Sequence, residues 1–234
     1  MFPQTQSRIP WKFYEVVLGW YYCQMLNELL YATSNPGKIL EITKLLGYNG
    51  INVVSPDDLK ISLDVSETGG TLEENARLKV KAYLAKVKDR LVLADDTGLE
   101  IDALNGEPGI RVRRWRDGET RMEDEEIIQY CLGLMAGIPM EKRGAQFKTV
   151  LAVGLPSGNI EIFKGVLRGV ILKEADPIRI KGFPFESLFF VTDWNMLLGH
   201  ASKLPVNQMK NRRNHREKAL HEAIPRIRAL ISRS

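Results

Sequence analysis

The apolar run Leu91–Ala94, "LVLA", passes directly into two adjacent carboxylates, Asp95 and Asp96, and then into Thr97-Gly98. Four consecutive apolar residues read as a buried strand. Neighbouring like charges repel, and keeping both ionised beside a core is costly. A metal ion, or a metal-bound phosphate, would remove that cost. The stretch therefore calls for a covered sheet whose strand delivers acids to a ligand. Carboxylates at the C-terminal end of a strand lie where α/β sheets place their ligands. One acid, Asp96, is expected to do chemistry, and Asp95 to be more structural.

The flanking sequence supplies the rest of such a sheet. "LLYAT", Leu29 to Thr33, reads as a buried strand. It enters "SNPGK", where Ser34 or Asn35 can cap a helix and Pro36 suits the first turn. That helix continues through Ile39, Leu40, Leu45 and Leu46, and "INVVS" follows as a second strand. In "GGTLEENARLKVKAYLAKVK", Leu72, Ala76, Val80, Tyr83, Leu84 and Val87 fall on one helical face. Thr71 and Glu74 have capping-box spacing. "EEIIQYCLGLMA" is helical, and "AQFKTVLAVGLPSGNIEIFKGV" reads as a hairpin around Pro-Ser-Gly-Asn. "SLFFV" is a short strand. "NHREKALHEAIPRIRALI" is a final helix, expected to break or kink near Pro225. Alternating strands and helices followed by a hairpin predict an α/β fold with a mixed sheet.

With 234 residues and 44% hydrophobic content, the chain can bury a sizeable core in one large domain or two lobes. Its net charge of +4 is uneven, because Lys203 to Ser234 alone carries nine Lys/Arg against two Asp/Glu. A basic segment of this kind fits an anionic partner or a solvated helix. Cys23 and Cys131 form no CxxC or Cys/His pattern, so no zinc site or disulfide framework follows, and a reducing cytoplasm is the expectation. "FYEVVLGWYYCQML" near the N-terminus is short for a membrane span and contains Glu15. Residues 1–24 read as an extension of unassigned role.

Five stretches are candidates for chemistry. "TSNPGK" places a helix N-terminus and Lys38 where a phosphate would bind. It is not a Walker loop, since Ala32 and Ile39 stand where Gly and Ser/Thr are required. "SETGGTLEENA" carries Glu67 in a Gly-rich loop, with Asn75 and Lys79 one turn apart on the next helix. The Asp95-Asp96 stretch offers oxygen ligands suited to Mg²⁺. "NGEPGIRVRRW" interleaves Arg111, Arg113, Arg114 and Arg116 with Trp115, a pattern that grips nucleotides or marks an exposed basic strand. "KGFPFESLFF" and "KNRRNHREKAL" bring Phe183 and Phe185, which could stack on a base, and Lys210, His215 and Arg216.

Taken in order, "TSNPGKILEI", "ETGGTLEENARLK", "ADDTGLEIDALNGEPGI" and "KNRRNHREKAL" resemble the Ham1/RdgB-type inosine triphosphate pyrophosphatases over roughly residues 29–230. That family hydrolyses non-standard purine nucleoside triphosphates such as ITP, dITP and XTP to the monophosphate and pyrophosphate. The resemblance implies an elongated mixed α/β sheet flanked by helices, two lobes around a central cleft, and a homodimer. It implies that Thr33, Ser34, Asn35 and Lys38 bind the triphosphate. Glu67 and Asp96 would ligate Mg²⁺, with Asp96 also the general base. Thr97 stands where the family usually has Ser. Phe183 would stack on the base, in a base-binding stretch that continues through Pro184, Phe185 and Glu186, and Lys210, His215 and Arg216 would complete the pocket. A nucleotide in the cytoplasm is the implied partner, rather than a membrane or a nucleic acid.

The base-reading half departs from the family pattern. Phe183-Pro184-Phe185-Glu186-Ser187 replaces Phe-Gly-Tyr/Trp-Asp-Pro, and Asn214-His215-Arg216 replaces Ser-His-Arg. Two other readings stay open: the same chemistry on a different nucleotide, and a nucleotide- or RNA-binding protein without catalysis.

Overall fold

The computed structural model describes residues 28–205, 208 and 212–232. Residues 1–24 and Lys210 lie outside the described residues. One mixed sheet organises the chain in the order β2-β1-β3-β5-β6-β7-β8, with β4 paired to β3. The strands are β1 (Glu28–Tyr31), β2 (Asn52–Val54), β3 (Leu91–Ile101), β4 (Pro108–Gly109), β5 (Gly144–Gly154), β6 (Ile160–Ile171), β7 (Phe189–Val191) and β8 (Met196–Leu197). The helices are α1 (Pro36–Gly47), α2 (Leu72–Leu84), α3 (Asp124–Leu134), the short α4 (Leu198–Ala201) and α5 (His215–Ile231). β1 pairs in parallel with β2 and β3, and the other pairings are antiparallel.

Strand periodicity sorts the core into layers. On one face Leu29, Tyr31, Leu91, Leu93, Leu151 and Val153 pack on α1 and α5 through Ile42, Leu46, Ala219, Ala223 and Ile227. On the other, Leu30, Val92, Ala94, Val150 and Ala152 pack on α2 through Ala76, Val80 and Tyr83. Farther along the hairpin a separate cluster forms, in which Leu99, Ile101, Phe147, Leu167 and Ile171 meet α3 and the turn Pro184–Ser187. The sheet thus joins a helix-covered half to a second apolar cluster.

The expected hairpin is present, with β5 and β6 in register from Gly144↔Val170 to Gly154↔Ile160. α5 lies close on it. A Cβ at Gly165 would clash with the His215 carbonyl and the Ala219 amide, so only glycine admits the helix there.

Two expectations are corrected. Asp95 and Asp96 do not end their strand: β3 continues to Ile101, with Asp95 opposite Leu151 and Asp96 opposite Val150. What ends is the parallel pairing, because β1 leaves the sheet after Tyr31, which is paired with Leu93. The acids are therefore beside the gap where the chain turns into α1. Of the break or kink expected at Pro225, the break is absent, since the final helix continues to Ile231. Pro225 and His221, whose carbonyl loses its helical partner, are both exposed, so water can satisfy that oxygen.

Candidate active site

The turn from β1 into α1 is held by its own side chains. Asn35 Oδ1 accepts from the Gly37 and Lys38 amides at 2.9 and 3.3 Å, and Thr33 Oγ1 accepts from the Asn35 amide at 3.2 Å. The positive end of α1 thereby faces the cleft, with the Lys38 ammonium beside it.

Consecutive strand residues point to opposite faces, and this separates the two acids. Asp95 turns towards α1 and α5. Its Oδ1 accepts from the Tyr31 hydroxyl at 2.7 Å. Its Oδ2 meets Lys38 Nζ at 2.9 Å, Arg216 Nε at 3.2 Å and the Thr97 hydroxyl at 3.3 Å. Burial alone would raise its pKa, but Lys38, Arg216 and Lys79 hold it well below the usual carboxylate range. Arg216, 3% exposed, also pairs with Glu41 at 2.5 Å. Asp95 is thus the centre of a buried ionic network, and among the described residues no buried side-chain N or O lacks a partner.

Asp96 turns towards α2. Its Oδ2 accepts from Asn75 Nδ2 at 3.1 Å, and its Oδ1 lies 3.4 Å from Lys79 Nζ. Lys79 also reaches Glu67 Oε1 at 2.6 Å and the Asp95 carbonyl at 3.0 Å. Burial pushes the Asp96 pKa up, and the Glu67 charge adds to the push against Lys79. Burial likewise opposes the charge on Lys79, but Asp96 and Glu67 overcome it and raise its pKa. Two adjacent carboxylates whose environments drive their pKa values apart are suited to different tasks, one as a fixed charge and one as a proton acceptor.

α2 begins where the sequence placed it. Thr71 Oγ1 accepts from the Glu74 amide, and Glu74 Oε2 accepts from the Thr71 amide, both at 3.1 Å. The Gly69 amide donates to Asn75 Oδ1 at 2.8 Å, so Asn75 fixes the loop that bears Glu67 while its amide holds Asp96.

The half-buried Phe183 ring lies 5.8 Å from the Arg216 guanidinium. Phe185 differs: it is 2% exposed and packs on Trp115 and Phe147. His215 stacks on Phe147 at 4.7 Å, and its Nδ1 is 2.6 Å from Thr149 Oγ1. Burial and then Arg216 lower its pKa well below the usual histidine value, which keeps the ring neutral. Asn214 is committed as the α5 cap, accepting from the Glu217 amide and donating to Glu41 at 2.7 Å. Glu186 accepts from the Ser202 hydroxyl at 2.9 Å, and burial pushes its pKa up to about 7.

One cleft of about 900 Å³ gathers these groups. It brings together Thr33, Ser34, Asn35, Lys38, Glu67, Asp96, Thr97, Phe183, Pro184, Phe185, Glu186, His215 and Arg216. Of the arginine stretch, Arg111, Arg113 and Arg114 line it, whereas Arg116 pairs outside with Glu126. Trp115 is buried and donates to Glu107. Glu41, Thr149 and Asp124 escaped the sequence reading. Only Glu41 left a signal there, since it stands three residues after Lys38 on one helical face.

A family model described as the Ham1 family matches residues 29–226. The chain belongs to the Ham1 family. A relative in Symbiobacterium thermophilum named dITP/XTP pyrophosphatase is 39% identical over 205 residues, covering 88% of this chain and 97% of that protein. Another of that name in Bacillus subtilis is 35% identical, covering 84% and 94%. Among solved structures, the Staphylococcus aureus Ham1 protein aligns with a TM-score of 0.69 at 31% identity, covering 86% of this chain and 98% of its own. The four motifs that carry the resemblance all fall within the matched Ham1 region, and each contributes residues to the lining of the cleft.

Proposed function

We propose that this chain hydrolyses non-standard purine nucleoside triphosphates, such as dITP, ITP and XTP, to the monophosphate and pyrophosphate. The observation that carries the reading is the division between Asp95, held ionised among cations, and Asp96, a buried carboxylate of raised pKa beside Glu67. Curated relatives named dITP/XTP pyrophosphatase over most of both chains support it.

Among the described residues no three His, Cys, Asp or Glu side chains converge as a ready-made metal cage. Mg²⁺ asks for less: one or two carboxylates, with substrate phosphates and waters completing the shell. Glu67 and Asp96 fit that requirement, and they already share one cation, the Lys79 ammonium. When bound there, Mg²⁺ would offset the charge that builds on the phosphate oxygens. Lys38 and the α1 N-terminus orient the triphosphate, and Lys79 can turn from Glu67 to a phosphate oxygen. Asp96 accepts a proton from the water that attacks the α-phosphorus. The bond from the α-phosphorus to its bridging oxygen breaks, and pyrophosphate leaves towards the cationic end. Phe183 and Arg216 hold the base. In this reading the enzyme is a cytoplasmic homodimer; no described helix is long and apolar enough to cross a membrane.

The test is pyrophosphate release from ITP, dITP, XTP, GTP, ATP and pyrimidine triphosphates, with and without Mg²⁺. The expected result is Mg²⁺-dependent release that favours the 6-keto purines lacking a standard partner. Release from a different nucleotide would keep the chemistry and move the specificity. No release from any, with tight salt-sensitive RNA binding, would replace the enzyme with a binding protein.

Glu186 makes a second prediction. A neutral carboxyl can donate to a 6-keto oxygen and accept from N1–H, whereas a carboxylate only accepts. The charged groups around it are Glu41 and Arg216, which oppose each other. KM for ITP should therefore rise as the pH passes about 7, the value to which burial brings Glu186. Glu186→Gln, which donates and accepts at every pH, should flatten that step. A step of the same size and position in the variant would remove Glu186 from base recognition.

A further inference from the structure

The loop that carries Phe183 reaches across the cleft. Gly182 has φ +87°, and a Cβ there would lie 3.1 Å from Asn35 Nδ2, the cap of α1. The Phe183 ring covers Gly37, where a Cβ would clash with it. So the base-side loop rests on the phosphate-side turn, and a small shift of the loop alters both halves of the site. Behind it, one carboxylate grips the backbone next to Phe183. Asp124 Oδ2 accepts from the Gly182 amide at 2.7 Å. Its other oxygen, Oδ1, takes Arg113 Nη1 at 2.6 Å. Arg113 lines the cleft, and its carbonyl accepts from the Met122 amide at 2.8 Å, which ties its own segment to the approach of α3. Asp124 is the first residue of α3, and its neighbour Glu125 pairs with Arg179 of the same loop at 2.9 Å. The Glu125 pair is exposed and contributes little. The Asp124 contacts are partly sheltered and charge-assisted on both oxygens, the stronger kind.

We infer that Asp124 is a positioning residue that fixes the Arg179–Phe183 loop between α3 and the α1 cap, and thereby sets the affinity of the cleft for the purine. This rests on the reading of the cleft as a nucleotide site. Asp124 touches no reacting atom, so its effect belongs in KM and in base discrimination rather than in the chemical step. Its geometry needs two acceptor oxygens at once. Asparagine keeps one acceptor and loses the charge, and alanine loses both.

The experiment compares Asp124→Asn and Asp124→Ala with the parent chain by two measurements. Backbone hydrogen exchange across residues 179–183 is read against exchange in β3. KM and kcat are read for ITP and GTP. In Asp124→Ala the loop amides should exchange about ten-fold faster with β3 unchanged. KM for ITP should rise about ten-fold, kcat should stay within about three-fold, and the ITP/GTP preference should fall. Asp124→Asn should lie between. Unchanged loop exchange and KM in a folded variant would overturn the inference. So would faster exchange throughout the chain, which would make Asp124 a general stability residue. If the alanine variant does not fold, Asp124→Asn carries both measurements. If the parent chain releases no pyrophosphate, the nucleotide reading fails on that control, and the exchange data alone decide the tether.

Discussion

Asp96→Asn is expected to lower pyrophosphate release by about 10³-fold or more, the combined cost of a lost general base and a lost metal-ligating charge. The fold should not suffer. Asp96 is 7% exposed and carries a charge that burial disfavours. Asparagine has its shape, can keep the Asn75 contact and removes a charge that is expensive to bury. Thermal stability should therefore hold or rise, the usual trade at a site where function demands an unfavourable group. Asp95→Asn is the control that makes the result specific. Asp95 is committed to Tyr31, Lys38 and Arg216. Its loss should unfold the chain at lower temperature before it says anything about chemistry. The measurements are single-turnover pyrophosphate release and thermal unfolding on the same preparations. Asp96→Asn turnover within about ten-fold of the parent would remove Asp96 as the base, given that a positioned base is worth about 10²–10⁴.

Much of this site was legible because its elements announce themselves locally. Asn35 caps α1, and Thr71 and Glu74 close a capping box on α2. Each depends on residues within four positions, so sequence spacing suffices. The extent of β3 was hidden for the opposite reason. Asp95-Asp96 looks like the end of a strand because acids are poor strand formers on average. In the fold, Lys38 and Arg216 neutralise one acid from residues far away in sequence, Lys79 faces the other, and β5 runs opposite both, with Leu151 and Val150 as their neighbours. Tertiary contacts overrode the local preference. Pro225 is the reverse case, a local breaker tolerated because its helix face is exposed. Phe183 and Phe185 are indistinguishable in sequence, yet one lines the cleft beside Arg216 and the other packs on Trp115 and Phe147. Asp124 had no signal at all, since its partner Gly182 is 58 positions away.

Arg216→Ala should be the most destabilising single change in the site, by about 3–5 kcal/mol at neutral pH. The reason is what it leaves behind. Arg216 is 3% exposed and spans Asp95, Thr97 and Glu41 at once. Without it, Asp95 at 1% exposure keeps Lys38 but loses its second cation, and Glu41 faces Asn214 alone. Breaking one arm of a buried ionic network costs more than the network is worth intact, because the remaining charges stay buried. For a chain of this length that loss corresponds to a fall in Tm of about 10 °C or more. The pH dependence separates this cause from lost packing. The Asp95 pKa is depressed in the folded state, so its contribution to stability is present above the unfolded carboxylate value of about 4 and is lost as the pH falls. Removing Arg216 relaxes that depression, so the variant's stability should fall less steeply on acidification and the gap to the parent should narrow below about pH 4. Urea unfolding of both proteins at pH 7 and at acid pH reads this directly. A gap of constant size would assign the loss to packing of the arginine stem rather than to the charge on Asp95.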